Sequence, residues 1–413
     1  MGKKSKARKA LHAQQSAGEI ANPLISELLR FGVSETATGI HVNVDKALKN
    51  PAMFRAVSLI SGSIGMLPLH LIDTNTKKKR DTHPLYRLLH RRPNAWQTAF
   101  DFRVLMQLRA LVKGNGYALV IRSPNLRAGG ALTPTQMVPL DPDLVTPEQG
   151  ADWSVSYVYR PAKGAAVRYP ARDILHLRGI SLDGISGLSL VKQAAEAVGI
   201  ALAAELAAAR MMRNGTMVGG ALEHPERLSP EAYARLQESL ESKSGSDKAG
   251  RNLILEEGMK YVPISSTARD AQMVEIRKMQ IEEIGRVTGV PRPLLMLDET
   301  SWGSGIEALG QFFVTYALNP WFEAWQQACE RTLLTEAEAD EMAVKFNAGA
   351  LLRGSMKDQA DFLAKALGAG GSAPWMWVDE VRDVLDLPER DAPPHVMAGG
   401  SADQGSKGNA NAA

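Results

Sequence analysis

One stretch restricts the fold more than any other. Residues 188–215, LSLVKQAAEAVGIALAAELAAARMMRNG, read as one long helix. Alanine has the highest helix propensity, Gly199 is the one weak point, and Asn214-Gly215 supplies a stop. The helix has few large apolar residues for its length. Alone it buries little, yet its small side chains let other helices come close. A fold containing it must supply neighbours.

Two more long helices are expected. The first, TARDAQMVEIRKMQIEEIGRVTG, covers 267–289. Its narrow apolar line is Met273, Ile276, Met279/Gln280, Ile284 and Val287, and the rest is charged with both signs. The other runs from Ile306 to about Leu334, with Ile306, Leu309, Phe313, Tyr316 and Ala317 on one side. Pro320 lies inside that pattern and predicts a kink near Asn319. The remainder, to about Pro394, reads as amphipathic helix with glycine-rich gaps at 349–354 and 368–372.

Between the first two long helices, residues 217–264 read as a small α/β unit. VGGALE is a strand and SPEAYARLQESLESK a helix, capped by Ser229 with Pro230 at its first position and Glu231 in its first turn. The pair NLILEE and KYVPI suggests a hairpin. Upstream, residues 50–180 read as mixed α+β. The helix over 51–69 has an apolar face of Phe54, Val57, Leu59, Ile60 and Ile64. A hairpin follows, with LHLID as strand and TNTKKKRDT as polar turn.

A chain of 413 residues is too long for one compact core. A net charge of +3 announces neither a nucleic-acid coat nor a membrane binder. The single cysteine, Cys329, permits no internal disulfide and fits a reducing site of synthesis. No apolar run reaches the ~18 residues of a transmembrane helix. The basic start lacks the apolar region of a secretory signal, and Lys6 stands where a myristoylation signal needs Ser or Thr. Met1 to about Gly18 and the Gly/Ala/Ser/Asn-rich C-terminus read as disordered. The basic arm is either solvated or touches nucleic acid or an acidic partner.

No active site emerges. The histidines at 12, 41, 70, 83, 90, 176, 224 and 395 are scattered without metal-ligand spacing. His176, in DILHLRG, is the most interesting, and reads as a strand histidine bonded to backbone rather than a ligand. There is no Walker A loop, no dinucleotide-binding glycine motif and no nucleophile elbow. Cys329 has the apolar setting of a core thiol. The pairs Glu256-Glu257 and Glu282-Glu283 are adjacent on their elements, so they do not converge on one substrate.

The loop LDETSWGSGIEALGQFF, 297–313, poses a choice between a phosphate cradle and a capped helix start. Ser304 and Glu307 form the Ser-x-x-Glu pattern of a capping box, which accounts for the glycine-serine turn without a ligand.

At this point the sequence resembles the portal proteins of tailed bacteriophages, on the branch of the long-tailed siphophages. The resemblance covers about residues 50–390 in order. It rests on FRAVSLISGSIGMLPLHL, HPLYRLLHRRPNAWQTAFDFR, LVKGNGYALVIR, DILHLRG with DGISGLSLV, EEIGRVTGVPRPLL, LNPWFEAW and VDEVRDVLDLPER. Each piece is weak alone. Their order is what carries the resemblance.

The resemblance implies an α+β portal fold of wing, stem, clip and crown. Residues 1–45 would be a basic, largely disordered arm, 46–187 the wing, 188–216 the first stem helix and 217–266 the clip. The second stem helix would span 267–290, the tunnel loop and kinked tunnel helix 291–334, a helical crown 335–394 and a disordered tail 395–413. It also implies a ring, normally of twelve subunits, through which double-stranded DNA passes without tight or sequence-specific binding. Partners would be the terminase large subunit, major capsid and scaffolding or protease proteins, and a head-completion adaptor, with no cofactor, no metal and no membrane. Such a protein would be made in the bacterial host cytoplasm and reside at the capsid vertex of the virion.

Residue by residue, the tunnel loop would be Asp298, Glu299, Thr300, Ser301, Trp302, Gly303 and Ser304, with Ser304 and Glu307 as cap and Pro320 as kink. Trp302 would either pack against the wing or touch the duplex or a neighbouring loop. Arg269, Asp270, Glu275, Arg277, Lys278, Glu282, Glu283 and Arg286 would form a mixed-charge channel wall, or else a solvated face with i,i+4 pairs. Lys243, Lys248 and Arg251 would lie on the terminase-docking clip, or in a plain solvent loop. The competing classes are another ring or coat component of a virus-like particle and a hydrolase with an unrecognised site. Electron microscopy separates them: rings with a central hole of about the ~20 Å width of DNA support the portal, and a uniform monomer would sink it.

Overall fold

The computed structural model describes residues 34–125, 130–214, 220–223, 229–243, 260–263, 267–297, 306–347, 356–369, 371 and 373–384. The chain divides into two compact units, up to Leu351 and from Leu352 onward.

The first unit begins with a short ribbon, β1 (Ser34–Glu35) and β2 (His41–Val42), followed by helix α1 (Val44–Lys49). The arm expected over 1–45 is therefore structured from residue 34. Its anchor is local chemistry: the Glu196 carboxylate accepts the Ala37 N–H, and a Cβ on Gly199 would meet Thr36 at 2.7 Å. Gly199 is thus a point of close approach rather than a flaw in its helix.

Asn50 ends α1 and caps α2 (Pro51–Met66), accepting the N–H groups of Ala52 and Met53 at 3.1 Å each. The buried face of α2 is Met53, Ala56, Val57, Ile60 and Ile64. Phe54, expected on that face, is 57% exposed, because Met53 and not Phe54 continues the stripe. Strand β3 (Leu69–Asp73) follows. It does not form the expected hairpin: the polar turn returns only as a single bridge from Ile72 to Lys79. Leu69, His70, Leu71 and Asp73 are all buried, so the strand is interior and takes a partner from far along the chain.

Helices α3 (Pro84–His90) and α4 (Ala99–Lys113) complete the helical layer. Thr98 and Asp101 form a capping box at the start of α4, and Gly114, at φ 85°, ends it. Buried Arg103 donates to the carbonyls of Leu89 and Gly65 at 3.0 and 2.9 Å, satisfying the last turns of α3 and α2 together. Burial pushes its pKa down to about 10.

Two three-stranded antiparallel sheets follow. In one, β4 (Asn115–Asn125) lies between β5 (Ala131–Leu140) and β9 (Ile174–Arg178). The other holds β6 (Val145–Gln149), β7 (Val155–Tyr159) and β8 (Val167–Pro170). The alanine-rich stretch starts as α5 (Leu190–Gln193), breaks at Ala194 and continues as α6 (Ala195–Asn214). Strand β10 (Gly220–Glu223) pairs with β11 (Lys260–Pro263) across helix α7 (Pro230–Lys243). The expected partner NLILEE lies outside the described residues.

Helix α8 (Thr267–Thr288) packs against α6 and α2. Helix α9 (Ile306–Phe312) runs into a π-helical turn over Phe313–Leu318 and then α10 (Asn319–Leu333). Pro320 lies at the start of α10. It lacks an N–H and its ring crowds the carbonyl four residues back, so the regular ladder stops there. After α11 (Glu336–Glu341) comes β12 (Met342–Phe346), which pairs with β3, Leu69 opposite Phe346. The helical reading of 335–394 fails here: MAVKF alternates buried Met342 and Val344 with more open residues, which is a strand period.

The core joins α2, α4 and α10. Trp325 Nε1 donates to Gln107 Oε1 at 2.8 Å, with Phe102 edge-on to the indole. Cys329 is fully buried and burial pushes its thiol pKa up to about 12, as befits an inert core cysteine. The second unit holds α12 (Met356–Ala366) and α13 (Val378–Val384), with Trp375 edge-on to Phe362.

Candidate functional site

The most unusual surface lies on the two long helices. Among the described side chains of α6, up to Arg210, the buried ones lie in the first turns, at Ala195, Val198, Gly199 and Ala201, while Leu206 is 53% exposed. Among the described side chains of α8, from Glu275 on, the buried ones lie in the last turns, at Gln280, Ile284, Gly285 and Thr288. Glu275 to Met279 are all exposed. Of the expected apolar line, Ile284 is fully buried and Gln280 is 8% exposed, while Ile276 and Met279 are 45% and 56% exposed; the Met273 side chain lies outside the described residues.

The expected channel charges divide into three groups. Arg286 bonds Glu283 and lies 3.6 Å from Glu282, which also pairs with Arg292 at 3.3 Å. Such exposed pairs contribute only about 0–1 kcal/mol, but they neutralise this end of the helix. Glu275, Arg277 and Lys278 stand on the exposed stretch. Arg269 and Asp270 lie on the α8 backbone, their side chains outside the described residues.

Asp298 to Ser304, with Trp302, lie outside the described residues, as do Lys248 and Arg251. Glu307 and Lys243 lie on α9 and α7, but their side chains are not described. Ser229 caps α7 as expected, accepting the Ala232 N–H at 3.2 Å. Phe312 and Tyr316 face solvent with ring centroids 4.6 Å apart.

A buried polar network joins the sheets to the start of the long helices. Asn115 Oδ1 accepts from His176 Nε2 and from the Gly187 N–H, each at 2.9 Å. The other ring nitrogen, Nδ1, accepts the Tyr157 hydroxyl at 3.0 Å. His176 therefore bonds side chains, not the expected backbone. Burial, with Arg178 and Arg331 nearby, pushes its pKa down to about 3, so the ring is neutral. Gly114 and Gly187 cross so closely that a Cβ on either would meet the other's carbonyl oxygen at 2.2 or 2.1 Å. The GNG motif thus encodes a turn, a bridge and a close crossing. Sequence reading found the motif but not its far partner.

Among the described residues no three His, Cys, Asp or Glu side chains gather to hold a metal, and no helix is long and apolar enough to cross a membrane. The class defined is a structural α+β subunit presenting two long, half-covered helices. The chain belongs to the phage portal protein family, whose profile matches residues 51–386. It is 32% identical over 358 residues to the portal protein of Enterobacteria phage HK97, spanning 84% of this chain and 81% of that one. To the probable portal protein of Streptomyces phage phiC31 it is 31% identical over 367 residues, spanning 85% and 77%.

Among solved structures it is similar to a chain in the neck of an empty GTA particle computed with C6 symmetry. That likeness has a TM-score of 0.60 at 25% identity and covers 83% of this chain and 92% of that chain. An HK97-family phage portal protein from Corynebacterium diphtheriae shares the fold, at TM-score 0.51 and 18% identity over 78% and 98% of the two chains. The protein is a phage portal protein, a head–tail connector component of the virion, and its relatives are structural proteins.

Proposed function

We propose that the chain closes with copies of itself into a ring at the capsid vertex, twelve in the virion, around a channel for double-stranded DNA. The observation that carries this reading is the exposure of Leu206 on α6 and of Ile276 and Met279 on α8, apolar side chains that a lone subunit leaves in water. A similar chain in a particle neck computed with C6 symmetry supports a ring, and twelve subunits are compatible with that symmetry. DNA passes inward during packaging and outward during ejection. A wall whose charges pair among themselves, as Glu282, Glu283 and Arg286 do, offers phosphates few lasting contacts and lets the duplex slide.

In this reading residues 46–187 are wing, α6 and α8 the stem, 217–266 the clip, and 335–394 the crown. The clip, with Lys243, Lys248 and Arg251, docks the terminase large subunit. Other faces meet the major capsid protein, scaffolding or protease proteins and the head-completion adaptor. Synthesis takes place in the host cytoplasm. The loop Asp298–Ser304 forms a collar at the channel. Trp302→Ala, or deletion of 299–303, is expected to leave rings intact and to lower the yield of packaged genome. Rings that package a normal genome without the loop would remove its role.

A further inference from the structure

Residues 77–92 concentrate positive charge. They carry seven cations, the run Lys77–Arg80 with Arg87, Arg91 and Arg92, against one acid, Asp81, whereas the whole chain has a net charge of only +3. Arg80 is bonded to Asp73, and Arg92 donates to the Ala95 carbonyl at 2.9 Å. Arg87 and Arg91 are exposed and make no ion pair among the described residues. They stand four residues apart, a spacing at which like charges repel and destabilise a helix unless an anion lies between them.

A cleft of about 920 Å³ opens beside them, between α3 with the loop after it, the end of β4 and the start of β5. Arg87 and Arg92 line it, and Asp81 is the one acid in the lining. His83, at its edge, is paired with Glu338 at 3.3 Å. Pro84, Ala95 and Pro124, all exposed, give the cleft apolar surface.

These features specify an occupant. Two guanidiniums in a cleft call for carboxylates or phosphates. Duplex DNA fits poorly, because a duplex about 20 Å wide fills roughly 1,000 Å³ per base pair at a rise of about 3.4 Å, so the cleft holds about one base pair. Nor can a duplex lie across the neighbouring turn without meeting acid. Glu336, Asp340 and Glu341 stand exposed on α11, whose Asp340 and Glu341 carbonyls accept from Thr74 Oγ1 at 3.1 and 3.0 Å. A single strand needs aromatic faces for its bases, and no Phe, Tyr or Trp lines the cleft. An extended protein segment with Asp or Glu beside apolar side chains meets both the guanidiniums and the apolar surface.

We propose that this cleft docks an acidic, extended segment of another protein, its carboxylates paired with Arg87 and Arg92. The inference rests on the reading of the chain as a ring that meets other proteins, and gives one of those meetings a place and a charge.

The test uses full-length protein and a fluorescein-labelled decaglutamate peptide, followed by anisotropy. Binding is expected at about 50 mM salt and should be at least about tenfold weaker at about 500 mM. Arg87→Glu should weaken it at least about tenfold with the melting temperature unchanged, since Arg87 makes no hydrogen bond among the described residues. Gln136→Glu, on the β5 side of the cleft, should weaken it as well. Lys77→Glu with Lys78→Glu, both outside the lining, should leave it within about twofold. Decaglutamate that does not bind at low salt, or that binds Arg87→Glu as it binds the wild type, overturns the inference. So does a ten-nucleotide single strand that binds more tightly than decaglutamate with the same dependence on Arg87, which would make the cleft a nucleic-acid site. Ring formation is followed in parallel by light scattering. An Arg87→Glu protein that loses the peptide yet forms rings supports the cleft as a site separate from assembly. A wild type that binds the peptide through Arg87 but never forms rings refutes the ring and leaves the cleft standing.

Discussion

Asn115 and His176 are joined by a 2.9 Å hydrogen bond, and the same Asn115 oxygen accepts the Gly187 N–H. One side chain on β4 therefore fixes β9 and the loop that leads into the long helices. Asn115→Ala leaves two buried donors unpaired and should cost about 2–4 kcal/mol, read as a lower urea midpoint. Tyr157→Phe removes one neutral hydrogen bond and should cost about 1 kcal/mol. An Asn115→Ala protein as stable as the wild type would show that the network holds nothing.

The same histidine gives stability a pH dependence of known sign. Its pKa is pushed down to about 3 in the folded chain from an ordinary 6.5. Between those values the unfolded chain binds a proton that the folded chain refuses, so stability is complete above about pH 6.5 and falls as pH drops toward 3. Asp73 and Asp183 are held near 2, chiefly by backbone hydrogen bonds from Thr76 and Ile185, so their losses set in only as pH falls below about 5. From pH 6.5 to 4.5, His176→Gln should show a flatter decline in unfolding free energy than the wild type. Parallel declines would mean that another group carries the effect.

Glycine should be required at the crossing and far less so at Gly184. Gly114→Ala adds a Cβ 2.2 Å from the Gly187 carbonyl oxygen, at φ 85°. A backbone collision of that kind has no side chain to move aside and should cost at least about 3 kcal/mol. Gly184 also has positive φ, but nothing lies within 4 Å of its Cβ position. Gly184→Ala should cost only about 1 kcal/mol, the backbone preference alone. Thermal unfolding of the two variants separates collision from conformation.

Trp325→Phe keeps most of the core volume but takes the donor from Gln107 Oε1. It should cost about 1–3 kcal/mol, and adding Gln107→Leu should recover part of the loss, because the unpaired amide goes with it. A double variant that loses the sum of both single changes would contradict this pairing.

How much was legible in the sequence depended on distance along the chain. The long helices, the Ser229 cap and the disturbance at Pro320 follow from local periodicity and capping chemistry, and the structure has them. The partner of β3 does not, because β12 lies some 270 residues away and nothing in LHLID names it. Phe54 misled because a two-turn stripe can be drawn through either of two adjacent apolar residues, and only the folded core selects Met53. The GNG motif was visible, but Asn115 acquires its role only when His176 and Gly187 arrive beside it.

The central claim is that copies of this chain close into a ring through the faces that α6 and α8 leave in water. A cryo-EM reconstruction of the purified full-length protein tests it most directly. The account predicts a closed ring with an opening wide enough for a DNA duplex, and with Leu206, Ile276 and Met279 buried between neighbouring subunits. A protein that stays monomeric at high concentration, or a ring that leaves those three residues facing solvent, would contradict it.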